Sequence, residues 1–202
     1  HCLDDDADRS RFMAEHVDIE VGDYRRCPVR YSHKVFAISA APRTADNLIF
    51  LDSDCETFAP VTEALLKAIC ADPGQCGSYL GRPYHRHSET GFTSYRKNNC
   101  GYEFLDEFRR FYTSGELFCL PELHDSMAFD FVRRKLERAG HRFKNICKGS
   151  NGLTVFPQSP LGKFIKHHKG IQKKNEAYGH HMIPGEMRPL SELQLAYIDE
   201  GR

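Results

Sequence analysis

Two aspartates at 52 and 54 directly follow the segment Asn-Leu-Ile-Phe-Leu at 47–51. An apolar run without polar alternation predicts a central, fully buried strand. A strand that ends in Asp-x-Asp brings both carboxylates to one sheet edge, where ligands bind in open α/β sheets. Asp52 and Asp54 would there suit Mg²⁺ or Mn²⁺, the hard ions that hold a substrate's phosphates. The alternative is a strand-end turn in which the aspartates bond to their own backbone.

A second candidate segment, Lys-His-His-Lys-Gly-Ile-Gln-Lys-Lys, spans residues 166–174. The neutral imidazole of His167 is a suitable third ligand for a metal already held by carboxylates. Gly170 allows close approach of the backbone to a phosphate, and Lys173 supplies positive charge for a diphosphate. The alternative interpretation is a solvated basic loop.

The spacing His167-x-x-Gly170-x-x-Lys173 resembles the C-terminal signature of the retaining GT-A-fold glycosyltransferases of family 8, the glycogenin and galactosyltransferase-like group. The resemblance implies that Asp52, Asp54 and His167 hold Mn²⁺, or Mg²⁺, on the diphosphate of a nucleotide sugar. Gly170 and Lys173 would then lie against the phosphates.

Two intermediate segments resemble the same family in the same order, so that the similarity covers residues 32–173. The segment that begins at Glu89 resembles the family's Asn-Ala-Gly strand, which faces the donor sugar. The segment around Asp125 resembles its Asp-Gln pair, which implies that Asp125 binds the sugar and that Ser126 lies near the anomeric carbon. Lys34 stands where the family often has a basic residue that contacts the donor.

The chain also departs from the family pattern, because Glu89 replaces the Asn, Ser126 replaces the Gln, and Lys-Asn at 174–175 replaces Pro-Trp. These changes leave the metal ligands intact and the stereochemistry open. If configuration is retained, Asp125 orients the sugar; if it is inverted, Asp125 or Glu89 must act as general base. Asp125 also opens a helix predicted over 125–139, the longest of the chain, where capping of free N–H groups is an alternative role.

The resemblance therefore predicts a glycosyltransferase that moves a sugar from a nucleoside diphosphate sugar, a UDP-sugar by the family's example, to a saccharide or protein hydroxyl. A modified nucleic acid is the alternative acceptor, because basic residues at 163–174 could join Arg82, His85, Arg86 and His87 in contacting it. These histidines and His124 are otherwise interpreted as surface or acceptor-side residues. Two other functions stay open: a non-catalytic module that binds nucleotide sugars, and a haloacid-dehalogenase-type phosphatase with Asp52 as nucleophile.

Length, charge and composition limit the kind of protein and the partners that can be expected. The chain has 202 residues and a formal net charge of +0, so no global field recruits nucleic acid or a membrane surface. We expect one glycosyltransferase-like domain over 1–202, with a core at 1–175 and an extension at 176–202. Neither a membrane-spanning run nor a signal peptide is recognised in the sequence, which predicts a cytoplasmic protein. If the protein is viral, the prediction is the cytosol of the host.

Alternating strand and helix patterns predict an α/β fold of the GT-A type, with a mixed, mostly parallel, Rossmann-like sheet flanked by helices. We expect this sheet to lack the buried strand that normally opens such a domain, because no strand pattern precedes Asp4. The predicted helices span 8–16, 32–41, 60–70, 102–112, 125–139 and 191–198, and the predicted strands 17–21, 48–51, 76–80, 91–95 and 153–156.

The eight cysteines form no C-x-x-C pair, which makes a zinc ribbon a poor interpretation. We expect reduced thiols, with Cys70 and Cys119 as small core residues. A disulfide framework is the alternative.

Overall fold

The computed structural model describes residues 6–16, 28–42, 44–82, 87–147 and 155–168. Within these ranges the chain forms α1 (Ala7–Glu15), α2 (Pro28–Ala40), β1 (Asn47–Leu51), β2 (Cys55–Thr57), α3 (Glu63–Ile69), β3 (Gly77–Leu80), β4 (Glu89–Arg96), α4 (Asn99–Thr113), α5 (Asp125–Arg138), β5 (Phe143–Asn145) and β6 (Ile165–His167). Two short 3₁₀ helices cover Glu116–Cys119 and Pro160–Lys163. The strand predicted at 17–21, the helix at 191–198 and the extension at 176–202 lie outside the described residues.

The main sheet has the strand order β1-β4-β3-β5, and β2 pairs with β6 in a separate two-stranded sheet. The pairs β1–β4, β3–β4 and β2–β6 are antiparallel, and only β3–β5 is parallel among the described strands. A mixed sheet with helices is therefore confirmed, whereas the prediction of a mostly parallel sheet is wrong. An apolar run indicates that a strand is buried. It does not indicate whether the strand is parallel or antiparallel to its neighbours, because both kinds of strand can be buried.

β1 lies at an edge of the described sheet and is half-buried, so the prediction of a central, fully buried strand is also wrong. Its side chains nevertheless contact apolar residues on both faces. Leu48 and Phe50 pack against the core formed with α1, α2, α4 and α5, and Ile49 and Leu51 pack against the core formed with α3 and β6. Both faces of the sheet are covered, which explains why the run shows no polar alternation.

Helix boundaries follow the side chains that cap them. Thr62 Oγ1 accepts a hydrogen bond from the Leu65 N–H at 3.2 Å, so α3 begins later than the sequence pattern predicted. Asn98 Oδ1 accepts from the Gly101 N–H at 2.7 Å and opens α4. α4 has 15 residues and α5 has 14, so the prediction that the helix opening at Asp125 is the longest is wrong. The strand predicted over 153–156 is not formed at Val155 and Phe156, which lead into a turn.

One cysteine pair departs from the prediction of reduced thiols. Cys76 and Cys100 form a disulfide, with Cα atoms 4.9 Å apart, and so tie the start of β3 to the first turn of α4. The prediction failed because this approach depends on long-range packing, which the cysteine spacing does not reveal. Among the described cysteines, Cys55, Cys70 and Cys119 are free thiols, and Cys119 is exposed, contrary to its predicted place in the core.

The fold also bears on membrane association. In the part of the chain that the structure describes, no helix combines the length and apolar character that a bilayer crossing requires.

Candidate functional site

The Asp-x-Asp segment lies where β1 ends against the first residues of β4. The Asp52 N–H donates to the Gly91 carbonyl at 2.9 Å, which extends the antiparallel pairing by one step. The Cys55 N–H then donates to the Asp52 carbonyl at 3.0 Å and closes a tight turn. This turn carries Asp54 to the same sheet edge, so that both carboxylates belong to one site, as the motif predicted.

β6 brings His167 to this turn. Cys55 pairs with His167 in the β2–β6 register, and the His168 N–H donates to the Asp54 carbonyl at 3.0 Å. His167 Nε2 lies 3.1 Å from Asp54 Oδ1, and the histidine side chain is only 5% exposed. The predicted convergence of a distant histidine on the Asp-x-Asp turn is therefore present.

Two groups of ligand atoms share His167. One comprises Asp52, Glu89 and His167, and the other Asp54, Cys55 and His167; within each group, one ligand atom per residue lies within 4.8 Å of the others. Carboxylate oxygens and an imidazole nitrogen suit Mn²⁺ or Mg²⁺ better than a thiol does. The first group is therefore the more suitable donor set for such an ion.

Cys55 has a separate role in this site. Burial raises the pKa of the Cys55 thiol to about 12, and the neighbouring Asp52 and Asp54 charges act in the same direction. The thiol is therefore protonated at neutral pH. Its Sγ lies 3.7 Å from the Gly91 carbonyl oxygen, to which it donates a weak hydrogen bond.

Lys34 joins the Asp-x-Asp turn to the start of α5. Its Nζ lies 3.0 Å from Asp52 Oδ1 and 2.7 Å from Asp125 Oδ2, and it donates to the Thr90 carbonyl at 2.5 Å. Thr90 Oγ1 also donates to Asp125 Oδ2 at 2.6 Å and lies 2.6 Å from Ser126 Oγ. The predicted residues Lys34, Asp125 and Ser126 thus belong to one buried network around Thr90.

Charge pairing fixes the protonation states in this network. Burial by itself would raise the pKa of Asp125, but the Lys34 charge and the hydrogen bonds from Lys34 and Thr90 hold it at about 2. Burial would lower the pKa of Lys34, but the Asp125 and Asp52 charges outweigh it and raise that pKa. Burial raises the pKa of Asp52, and Lys34 offsets part of this increase. Lys34 and Asp125 are therefore both charged at neutral pH.

Asp125 does not cap α5, because His124 takes that position. The His124 Nδ1 accepts a hydrogen bond from the Met127 N–H at 3.2 Å, and its Nε2 lies 2.8 Å from Glu122 Oε2. Asp125, in the first turn, is directed to Lys34 and Thr90 instead. The capping interpretation of Asp125 and the surface interpretation of His124, which is 5% exposed, are both wrong.

A third group of ligand atoms within 4.8 Å of one another comprises His87, Glu122 and His124. Because His124 Nδ1 accepts from a backbone N–H, its Nε2 carries the hydrogen of the neutral ring and donates it to Glu122. Arg82 Nη2 similarly donates to His87 Nδ1 at 3.0 Å. Hydrogen bonding accounts for this group without a metal.

His87 provides a prediction about stability. Burial lowers its pKa to about 4, with the Arg82 charge acting in the same direction, against an ordinary value of 6.5. Between these values the unfolded chain binds the extra proton, so stability falls as the pH falls. From pH 7 to 5 we expect the wild type to lose up to about 2 kcal/mol more than His87→Gln in urea denaturation. His141→Gln, at a partly exposed histidine, should follow the wild type. Equal losses in the wild type and His87→Gln would contradict this assignment.

Most of the predicted site residues thus lie close together in the structure. Gly170 and Lys173, the expected phosphate contacts, lie outside the described residues, as do His85 and Arg86. Sequence reasoning did not single out Thr90 or Gly91, and it named Arg82 only as a contact of a nucleic-acid acceptor. A glycine inside a strand pattern often marks a close approach, which could have identified Gly91. The contacts of Thr90 and Arg82 have no comparable local signal.

Comparisons with protein-family models, with curated proteins and with solved structures found no match to this chain. What the site does must therefore be inferred from its own residues.

Proposed function

We propose that this protein is a metal-dependent glycosyltransferase that moves a sugar from a nucleoside diphosphate sugar to an acceptor hydroxyl. One observation carries the proposal: His167, far along the chain, is buried at an Asp-x-Asp turn, with its Nε2 3.1 Å from Asp54 Oδ1 and its ring near Asp52. The strand-end turn alone accounts for the aspartates, but it does not require an imidazole beside them. An imidazole beside carboxylates is a suitable ligand set for a divalent ion.

The chemistry of the donor set fits Mn²⁺ or Mg²⁺. Hard oxygen ligands with one imidazole are typical of Mn²⁺ sites, and neither ion favours the neutral thiol of Cys55. Among the described residues the site is rich in carboxylates: Asp52, Asp54, Glu89 and Asp125 lie near the cations Lys34 and Arg82. Carboxylate oxygens are the ligands that Mn²⁺ and Mg²⁺ favour.

The proposed reaction develops negative charge on the leaving diphosphate as the glycosidic bond breaks. A divalent ion held by Asp52, Asp54, Glu89 or His167 would supply electrostatic stabilisation where that charge forms. Lys34 lies beside Asp52 and is positively charged, so it can contribute to binding an anionic donor. Lys173 remains a proposed phosphate contact on the basis of the family resemblance alone.

Asp125 is suited to orient the sugar. A carboxylate whose pKa is held at about 2 by Lys34 and Thr90 is a weak base at neutral pH, which disfavours it as the general base of an inverting reaction. As an ionised acceptor it can bind a sugar hydroxyl beside Ser126 Oγ, which lies 2.6 Å from the shared Thr90 hydroxyl. This supports transfer with retained configuration, and NMR of the product anomer tests it.

The experiment for the proposed function is hydrolysis and transfer with a panel of UDP-sugars, with and without Mn²⁺. We expect slow release of UDP from at least one donor, dependent on Mn²⁺ and lost on chelation. Binding of UDP and Mn²⁺ without turnover of any donor would instead indicate the non-catalytic module. Absence of both binding and turnover would contradict the proposal, and phosphate release from p-nitrophenyl phosphate that Asp52→Asn abolishes would favour the phosphatase.

We propose a saccharide or protein hydroxyl as the acceptor. A nucleic-acid acceptor depends on basic residues of which His85, Arg86 and the segment after His168 lie outside the described residues. Steep loss of DNA affinity with rising salt would favour the nucleic acid. No binding at low salt would exclude it.

A further inference from the structure

Glu89 is a buried carboxylate at the start of β4 and is 4% exposed. The sequence assigns it to the sugar side of the site, where the resembling family has an asparagine. We propose that Glu89 is instead a ligand of the divalent ion, together with Asp52 and His167. This inference rests on the proposed metal site and names one of its ligands.

The first support is the placement of the Glu89 carboxylate. One of its oxygens lies within 4.8 Å of ligand atoms of both Asp52 and His167. Its Oε1 accepts a hydrogen bond from the Gly91 N–H at 3.1 Å, which fixes the side chain toward the Asp-x-Asp turn. An ionised carboxylate has about four acceptor positions, so this bond leaves capacity for an ion.

Arg82 contacts the Glu89 carboxylate at Oε2. Arg82 Nη1 lies 3.4 Å from Glu89 Oε2, longer than a strong charge-assisted hydrogen bond. The same guanidinium donates to the His87 carbonyl at 3.1 Å and the Ser88 carbonyl at 2.8 Å, which fixes its position. Arg82 therefore neutralises part of the Glu89 charge.

Gly91 supports the shared position of Glu89 and His167. A Cβ at residue 91 would lie 3.1 Å from His167 Nδ1, 2.7 Å from His167 Cε1 and 3.2 Å from Glu89 Oε1. The Nδ1 atom and the carboxylate oxygen therefore border the same small space, which only glycine keeps free of a side chain. Any larger residue would force the imidazole away.

The two ring nitrogens of His167 lie on different sides of the site. Nε2 lies 3.1 Å from Asp54 Oδ1, and Nδ1 borders the space beside Gly91 that Glu89 Oε1 also borders. We therefore expect His167 to present Nδ1, the atom on the side of Glu89, to the ion.

The test is a titration of Mn²⁺ into the 202-residue chain, with and without UDP. The EPR signal measures the free Mn²⁺ at each step. We expect Glu89→Gln to weaken Mn²⁺ binding by about 100-fold or more, since it removes a ligand. Asp54→Asn should stay within about tenfold, because Asp54 is not one of the three proposed ligands. Glu56→Gln is the matched control, an exposed carboxylate paired with His168 at 2.7 Å, and should leave the affinity unchanged.

Two further variants separate the possible failures. Arg82→Gln combined with Glu89→Gln removes the Arg82 charge that Glu89→Gln alone leaves unpaired. Circular dichroism should show that this double variant folds. It should bind Mn²⁺ as weakly as Glu89→Gln does. If Asp52→Asn weakens Mn²⁺ binding while Glu89→Gln binds as the wild type does, the Glu89 assignment is wrong and the proposed function stands. A larger loss in Asp54→Asn than in Glu89→Gln would also overturn it. If the wild type binds no Mn²⁺ with or without UDP, the proposed function itself fails.

Discussion

Asp52→Asn is expected to lower the Mn²⁺-dependent turnover of a UDP-sugar by on the order of 10²-fold or more. Asp52 belongs to the ligand group with Glu89 and His167 and also pairs with Lys34 at 3.0 Å. Replacing its charge removes a proposed metal ligand, and charge stabilisation at the leaving group is commonly the largest catalytic contribution. The measurement is kcat and kcat/KM for UDP release over a range of Mn²⁺ concentrations.

The stability of the variant separates a catalytic effect from a structural one. Lys34 keeps its pair with Asp125 at 2.7 Å in Asp52→Asn, so the free energy of unfolding should change little compared with the rate. Glu56→Gln should retain wild-type kinetics, because Glu56 is 64% exposed and pairs with His168 away from the ligand group. A loss below tenfold in Asp52→Asn at saturating Mn²⁺ would contradict the proposed role.

The meeting of Asp52, Asp54 and His167 was predicted from the family resemblance, which implies that the two segments share one metal site. An apolar strand followed by Asp-x-Asp indicates a sheet edge, and the histidine segment has a spacing suited to a diphosphate site. The direction of β1 and its place at the sheet edge could not be predicted, because its side chains pack against cores on both faces. Burial on two faces gives the same sequence pattern in central and edge strands.

The roles of individual residues were harder to predict than their proximity. Thr90 bonds to Asp125 across 35 positions of sequence, and Ser88 contacts Asp130 across 42, and neither spacing has a local signature. His124 was misjudged because histidine is a rare helix cap, and the sequence favoured Asp125 for that role. The disulfide between Cys76 and Cys100 likewise depends on how β3 and α4 pack.

Lys34→Met is expected to lower the free energy of unfolding by about 3–5 kcal/mol at pH 7 without added metal. Lys34 is 13% exposed and contacts both Asp52 and Asp125, so its removal leaves two carboxylates close together with their cation gone. An uncompensated buried charge costs far more than the net value of the pair. Urea denaturation of both proteins measures the difference.

Two comparisons make the Lys34 prediction specific. Lys135→Met makes the same substitution in another helix, but Lys135 is 48% exposed and pairs with Glu107 at the surface, so we expect a loss below about 1 kcal/mol. Acid should also narrow the gap between the wild type and Lys34→Met. The pKa of Asp125 in the folded wild type is about 2, below its ordinary value of 3.8, so the stabilisation is present above about pH 4 and lost as the pH falls toward 2. Equal effects of the two lysine substitutions at pH 7, or a gap that persists unchanged at pH 3, would show that Lys34 does not neutralise these carboxylates.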